Sequence, residues 1–245
     1  MRCIPTFVLV LFIFGCSVRP PEADRAGIPV TPHSSLGTTT IEPQEPGVEC
    51  ENTNGIIGFA EISFNGTTVL RFYEQPKTTA APAQILRFYE DRDLKMDSFK
   101  AEGKKAYSLL RPEVHKLDYY LFDLAVRTRN NGWLEVIVDN QSDETLWLPE
   151  GKIVKFENWL QKMKSSFAVG RRTKENNPLR IGPDLNTEEV GFLGDDCFRV
   201  VEMEGNWIKV NIASHCSDAP KQTVSGWIRW RDENSCLMVE IFPFA

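Results

Sequence analysis

A chain of 245 residues with 42% hydrophobic and 25% charged side chains has the composition of a globular protein, long enough for one large domain or two small ones. Its net charge of -6 and isoelectric point near 5.3 oppose a phosphate backbone, so nucleic acid is excluded as the expected partner.

The chain opens MRCIPTFVLVLFIFGC, with Arg2 ahead of an apolar run from Phe7 to Phe14. That run is too short to cross a bilayer and has the shape of a secretory signal over residues 1–15. Ile13-Phe14-Gly15-Cys16 resembles the lipobox of bacterial lipoproteins, in which a small residue precedes the cysteine that takes the lipid, although Phe14 is bulkier than the usual residue. The alternative is an ordinary cleaved signal with an incidental cysteine, but no small-x-small cleavage site directly follows the apolar run. The resemblance implies lipidation at Cys16, a membrane contact through that anchor and domains in the periplasm. In a Gram-negative host, Ser17 in place of Asp after the cysteine implies the outer rather than the inner membrane. Residues 16–49 are rich in Pro, Thr, Ser and Gly, bury too little surface to fold alone, and read as a disordered tether.

After Cys50 the chain becomes a series of short alternating runs: IIGFAEISF, TVLRFYE, QILRFYED, DYYLFDLAVRT, GWLEVIVD, ETLWLPEG, FRVVEME, NWIKVNIA, SGWIRWR and CLMVEIF. Each is rich in Val, Ile and aromatics and bounded by turn formers, which predicts an all-β chain. Residues 96–117 and 158–176 carry more helix formers, and the second stretch is basic and poor in apolar residues. The expected organisation is one domain at 50–160 with a partly helical insertion near 94–118, a linker at 161–176 and a second domain at 177–245. An exposed linker would be cut first at Lys164, Arg171, Arg172 or Lys174.

Asn131-Gly132-Trp133-Leu134-Glu135-Val136 and Gly205-Asn206-Trp207-Ile208-Lys209-Val210 share a turn, a Trp and an alternating strand. Each precedes a second Trp strand, at Trp147 and Trp227, and Leu70-Arg71 and Leu179-Arg180 open the two units. The second copy resembles the bacterial SH3-like domain in Leu179 to Pro183, Val190 to Leu193, Gly205 to Val210 and Gly226 to Ile228, over most of 177–231. The first is a weaker match that lacks the Gly-Pro loop and carries about thirty extra residues. The resemblance implies two small SH3-like barrels in tandem. LRFYE occurs twice, at Leu70 to Glu74 and Leu86 to Glu90, and reads as neighbouring strands with Leu and Phe on one face and Arg and Tyr on the other.

Nothing in the pattern recommends an enzyme. His215 and Cys216 are adjacent and would point to opposite faces of a strand, while Asp195-Asp196 and Glu188-Glu189 sit in apparent turns and read as solvated. His33, His115 and His215 are far apart and no C-x-x-C occurs, so neither a metal nor a cofactor is expected. Recognition remains, of peptidoglycan or of an envelope protein or peptide. Trp133, Trp147, Trp207 and Trp227 are read mainly as core. Trp230, on the opposite face between Arg229 and Arg231, is expected to be an exposed contact, with Arg229, Arg231, Tyr73 and Tyr89 as further ligand-binding residues.

In an exported chain Cys50, Cys197, Cys216 and Cys236 are expected to form two disulfides, for which spacing alone leaves three connectivities. A turn at Glu204 to Asn206 places Glu204 opposite Trp207 and carries Cys197 towards Ala213 and Cys216. Cys236 then meets Cys50 by elimination.

Overall fold

All ten alternating runs contain strands in the computed structural model, which describes residues 50–93, 95–103, 114–139, 142–192, 194–213 and 224–244. The expected signal and tether with Cys16, and His215 and Cys216, lie outside those residues. In chain order the strands are β1 (Gly58–Ile62), β2 (Val69–Phe72), β3 (Gln84–Asp91), β4 (Met96–Gly103), β5 (Val114–Lys116), β6 (Leu121–Asn130), β7 (Trp133–Asp139), β8 (Glu144–Pro149) and β9 (Val154–Asn158). A short helix α1 (Trp159–Ser165) follows, then β10 (Ala168–Arg171), β11 (Phe198–Glu204), β12 (Trp207–Ile212), β13 (Ser225–Arg229) and β14 (Val239–Phe242). The protein is therefore mostly β, in three sheets, and among the described residues none of them closes into a barrel.

Two of the sheets are copies. One runs β8-β7-β6-β1-β9, with β5 added beside β6, and the other β13-β12-β11-β10-β14, so each strand on the main path of the first has a counterpart at the same place in the second. Register repeats as well. Val126 faces Val136 and Thr128 faces Glu135 across a bulge, as Val200 faces Val210 and Glu202 faces Lys209 across another. The hairpin turns differ in detail: Asn131 and Gly132 are both left-handed, the two-residue turn that matches strand twist, whereas Gly205 alone is left-handed in the second. Tyr73 exchanges both backbone hydrogen bonds with Trp147, and Arg180 does the same with Trp227. Phe72-Tyr73, not Leu70-Arg71, is thus the partner of Leu179-Arg180. Gly226 is where the second crossing is tightest, since a Cβ there would come within 2.8 Å of the Arg180 carbonyl.

The third sheet, β2-β3-β4, answers the LRFYE repeat. Its two copies are adjacent antiparallel strands with Leu70 opposite Leu86. Leu70, Phe72, Leu86 and Phe88 point inward and are at most 3% exposed. The second LRFYE belongs to the insertion, because β3, β4 and β5 have no counterpart in the second sheet. Of the residues expected to be partly helical, 96–103 and 114–116 form strands β4 and β5, Leu117 opens a 3-10 turn, and 104–113 lie outside the described residues. Phe99 of β4 lies 6.0 Å from the Phe88 ring and 5.5 Å from that of Phe122, and this packing overrides the helix propensity of the segment.

The expected linker is folded into the body, although Gln161, Lys164, Ser165, Lys174, Glu175 and Asn176 within it stay exposed. Residues 159–165 are α1 and 168–171 are β10, the second copy's counterpart of β1, so that copy begins before residue 177. Asn158 caps the helix reciprocally with Gln161, and Trp159 and Met163 turn inward at 8% and 1% exposure. Trp159 packs 4.8 Å from Phe59 of the first copy and 5.0 Å from Trp230 of the second, and its Nε1 donates to the Ile56 carbonyl at 2.9 Å. From Cys50 onward the two copies make one compact body. Arg171 and Arg172 are both held, the first by Asp196 and the second by the Val239 carbonyl and Glu51.

Beneath α1, Lys162 forms a buried ion pair with Asp123 of β6, and the Lys162 ammonium sits 5.9 Å from the Phe59 ring. Burial pushes the Asp123 carboxyl up, against the pull of Lys162. Glu157 of β9 is also pushed up, first by burial and then by Glu61, with Lys162 and a hydrogen bond from Ser165 opposing. A carboxyl raised in the folded state binds protons more readily there than in the unfolded chain. Its contribution is therefore most favourable below the ordinary value of 4.5 and is lost as pH rises through the raised one.

Cys50 and Cys236 are bonded, as expected, over a separation of 186 residues. The Ala213 N–H donates to the Cys197 carbonyl, which bears out the hairpin register, and Cys197 is itself disulfide-bonded. Flanking the first bridge, the Thr53 N–H donates to Ser235 and the Leu237 N–H to Glu51, so the disulfide closes a small strand pairing between the chain's two described ends.

Two outcomes follow. Replacing Cys50 and Cys236 together by Ser should lower unfolding stability by roughly 2–5 kcal/mol in denaturant titration, while trypsin still spares Arg171 and Arg172 in the native chain. Glu157→Gln should raise the melting temperature at pH 7 by roughly 1–3 °C, modest because Glu157 is partly solvated, and the gain should vanish below pH 4.5.

Candidate functional site

Strand parity sorts the tryptophans into two classes. Ile208, Val210 and Ile228 are fully buried and define the inner face of the second copy. Trp230 shares the parity of Ile228 and lies with them in the core at 2% exposure, its Nε1 donating to the Gly205 carbonyl at 3.0 Å. The expectation of an exposed Trp230 is corrected: alternation does set it opposite Trp227, but the inner face is its own. Its charged neighbours are anchored. Arg229 pairs with Glu233 at 3.0 Å, and Arg231 donates to Asn206 at 2.8 Å with its guanidinium 4.6 Å from the Trp230 ring.

Trp133, Trp147 and Trp207 are half-buried on the opposite, outer face of their sheets, and Trp227 shares that face at 7% exposure. They are not inner-core residues, since Leu134, Val136, Leu146 and Leu148 fill that role in the first copy. The signal was present in the sequence, as Trp133 alternates with Leu134, Val136 and Val138. Register makes the two outer faces equivalent: Glu135 opposes Trp147, and Lys209 opposes Trp227. Their chemistry differs. In the first copy Tyr73 meets Trp133 edge-on at 5.5 Å and the Thr145 hydroxyl donates to Glu135 at 3.1 Å. In the second, Arg180 takes the place of Tyr73, and the Lys209 ammonium lies 5.9 Å from the Trp227 ring.

Tyr73 and Tyr89 do not form a pair. Tyr89 stays 39% exposed on the outer face of β3, whereas Tyr73 is 6% exposed because the chain leaves β2 there to pair with β8. Asp196, read as solvated, is the bidentate partner of Arg171 at 2.7 Å in a largely buried contact.

Beyond the tryptophan faces, a cleft of about 1000 Å³ lies between residues 51–56 and the outer surface of β1, β6 and β7. Phe59, Ala125, Ile137 and Trp159 make its floor, with Arg127 and Asp143 joined at 3.0 Å on its wall. In the second copy, residues 181–189 form a hydrogen-bonded loop. Thr187 donates to the Gly182 and Asp184 carbonyls, and Arg180 holds the Thr187 carbonyl at 2.7 Å and Glu189 at 3.0 Å. That loop displays Ile181 at 63% and Leu185 at 53% exposure. Among the described residues no group of three or more His, Cys, Asp and Glu side chains converges as a metal site requires.

No protein-family profile matches the chain, and a search of curated proteins finds no match either.

Proposed function

We propose that this chain is a non-catalytic recognition lipoprotein of the bacterial envelope, built on two SH3-like repeats and binding peptidoglycan or a short peptide. The observation that carries the reading is the recurrence of outer-face tryptophans at matched register in both repeats. A half-buried indole gives apolar contact area at little entropic cost and keeps an N–H for a polar partner. Support for the repeat comes from the shared strand order and the paired bulges, and for the SH3-like assignment from the Gly-Trp-Ile motif, whose glycine the Arg180 crossing requires. The lipobox-like Ile13 to Cys16 supports anchoring at Cys16, and Ser17 favours the outer membrane. The tether at 16–49 would then hold the folded part away from the lipid.

A second reading is a scaffold or inhibitor whose ligand is an envelope protein. The loop displaying Ile181 and Leu185 favours it, because two large aliphatic side chains held outward on a pinned backbone suit a partner's apolar pockets. Asp184 and Glu188 beside them are exposed and suit a basic rim.

Sedimentation with insoluble sacculi separates the two. The mature chain should pellet with the cell wall, and Trp133→Ala with Trp207→Ala should lower the bound fraction about tenfold without changing the melting temperature by more than a few degrees. Full recovery of the native chain in the supernatant, where a known binder pellets, sinks the cell-wall reading. Crosslinking from membranes that is lost in Leu185→Asp would then favour the protein partner.

A further inference from the structure

A second aromatic surface lies outside the repeated framework. Leu117–Tyr119 is a 3-10 turn closed by Tyr120, whose backbone is left-handed at φ 57° and ψ 31°. Glycine or asparagine takes that conformation readily, whereas a bulky residue holds it at a cost of about 1 kcal/mol or more. Tyr119 and Tyr120 are nonetheless 49% and 66% exposed, so burial of these rings does not offset the strain. The rings are held in place. Tyr119 stacks on Phe244 with centroids 4.5 Å apart and planes 26° apart, and Tyr120 leans on Phe64 at 5.9 Å. The Lys116 ammonium lies 5.3 Å from the Tyr119 centroid and 5.2 Å from that of Phe244. Two distant stretches of chain thus meet here, the end of the insertion and the segment after β14.

We propose that Tyr119, backed on one face by Phe244, and Tyr120 form a carbohydrate platform for uncharged hexopyranose rings. The flat C–H face of such a ring is apolar and matches an exposed aromatic face, while its hydroxyl edge needs polar groups at the rim. Lys116 and Asp118 supply those groups and lie 3.9 Å apart, so the rim carries opposed charges. A platform balanced in this way, on a chain of net charge -6, suits a neutral ligand better than an acidic polymer or a basic peptide. The surface is made of aromatic rings rather than the aliphatic pocket a protein side chain would fill. The choice of an N-acetylated amino sugar as ligand rests on the cell-wall reading above; the stacking geometry does not.

The mature full-length chain, titrated with a soluble N-acetylglucosamine tetramer by calorimetry and ligand-observed magnetic resonance, tests the platform. Binding should weaken about tenfold in Tyr119→Ser and in Tyr120→Asn, and Tyr120→Phe should restore it. Asparagine tolerates the left-handed backbone, so Tyr120→Asn should melt no lower than the native chain and the loss cannot be one of folding. No binding of the tetramer by the native chain, or equal binding by both variants, overturns the proposal. Sacculi run in parallel keep the two readings apart. Native and variant chains pelleting alike while none of them binds the tetramer would remove the platform and leave the envelope reading standing. Tyrosine-dependent tetramer binding without sacculus binding would do the reverse.

Discussion

The docking of α1 is the contact on which the rest of the body depends. In about two turns it places Trp159 between Phe59 and Trp230, sinks Met163 into the second core, and sets Lys162 against Asp123 under the first. The hydrophobic part is non-directional and would tolerate a slide along the sheet. The ion pair would not, because moving Lys162 away leaves Asp123 buried and uncompensated, a state that costs several kcal/mol. A buried pair of this sort adds little net stability beside an apolar replacement, and the raised Asp123 and Glu157 carboxyls record that expense. Its effect is to fix one register of helix on sheet. The disulfide from Cys50 to Cys236 ties the segment before β1 to the segment before β14.

Around that junction the two repeats share a frame and differ in what they display. Inner positions are conservative in kind: Leu134, Val136 and Leu148 stand where Ile208, Val210 and Ile228 stand. Outer positions have diverged in charge, from Tyr73 and Glu135 to Arg180 and Lys209, around tryptophans that stay in place. Period-two alternation makes this possible, since one face can be held to a packing constraint while the other is changed freely. Two equivalent faces of unlike charge can engage two different parts of one ligand, and binding in tandem raises the effective concentration of the second event.

The insertion shows how an extra segment can be absorbed without disturbing the frame. It enters where the chain leaves Tyr73, the crossing point with β8, and returns at Leu121 to begin β6. Between those points β3 and β4 extend the sheet begun by β2, and Phe88 and Phe99 close over Phe122 in the first core. The added strands therefore contribute to the core, and the exposed rings at Tyr119 and Tyr120 sit on a supported base rather than a loose loop.

Sequence alone located ten of the described strands and the residues that alternate within them, because period-two patterning and turn residues are local properties of the chain. It also placed the two LRFYE strands side by side, carried Cys197 to Ala213 through a two-residue turn, and paired Cys50 with Cys236. It set Trp230 and Trp227 on opposite faces, but alternation has no sign. Which face is inner was decided only when Trp159 and Met163 arrived from α1 to cover the side bearing Ile228 and Trp230. The same reason accounts for the other corrections. Residues 161–176 look like a linker until Met163 and Val169 are given a core to enter, and β4 looks helical until β3 offers it a ladder. Tyr73 looks like an outer-face residue until β8 captures its backbone. Partners distant in sequence supply each of these decisions, and a pattern confined to neighbouring residues carries no record of them.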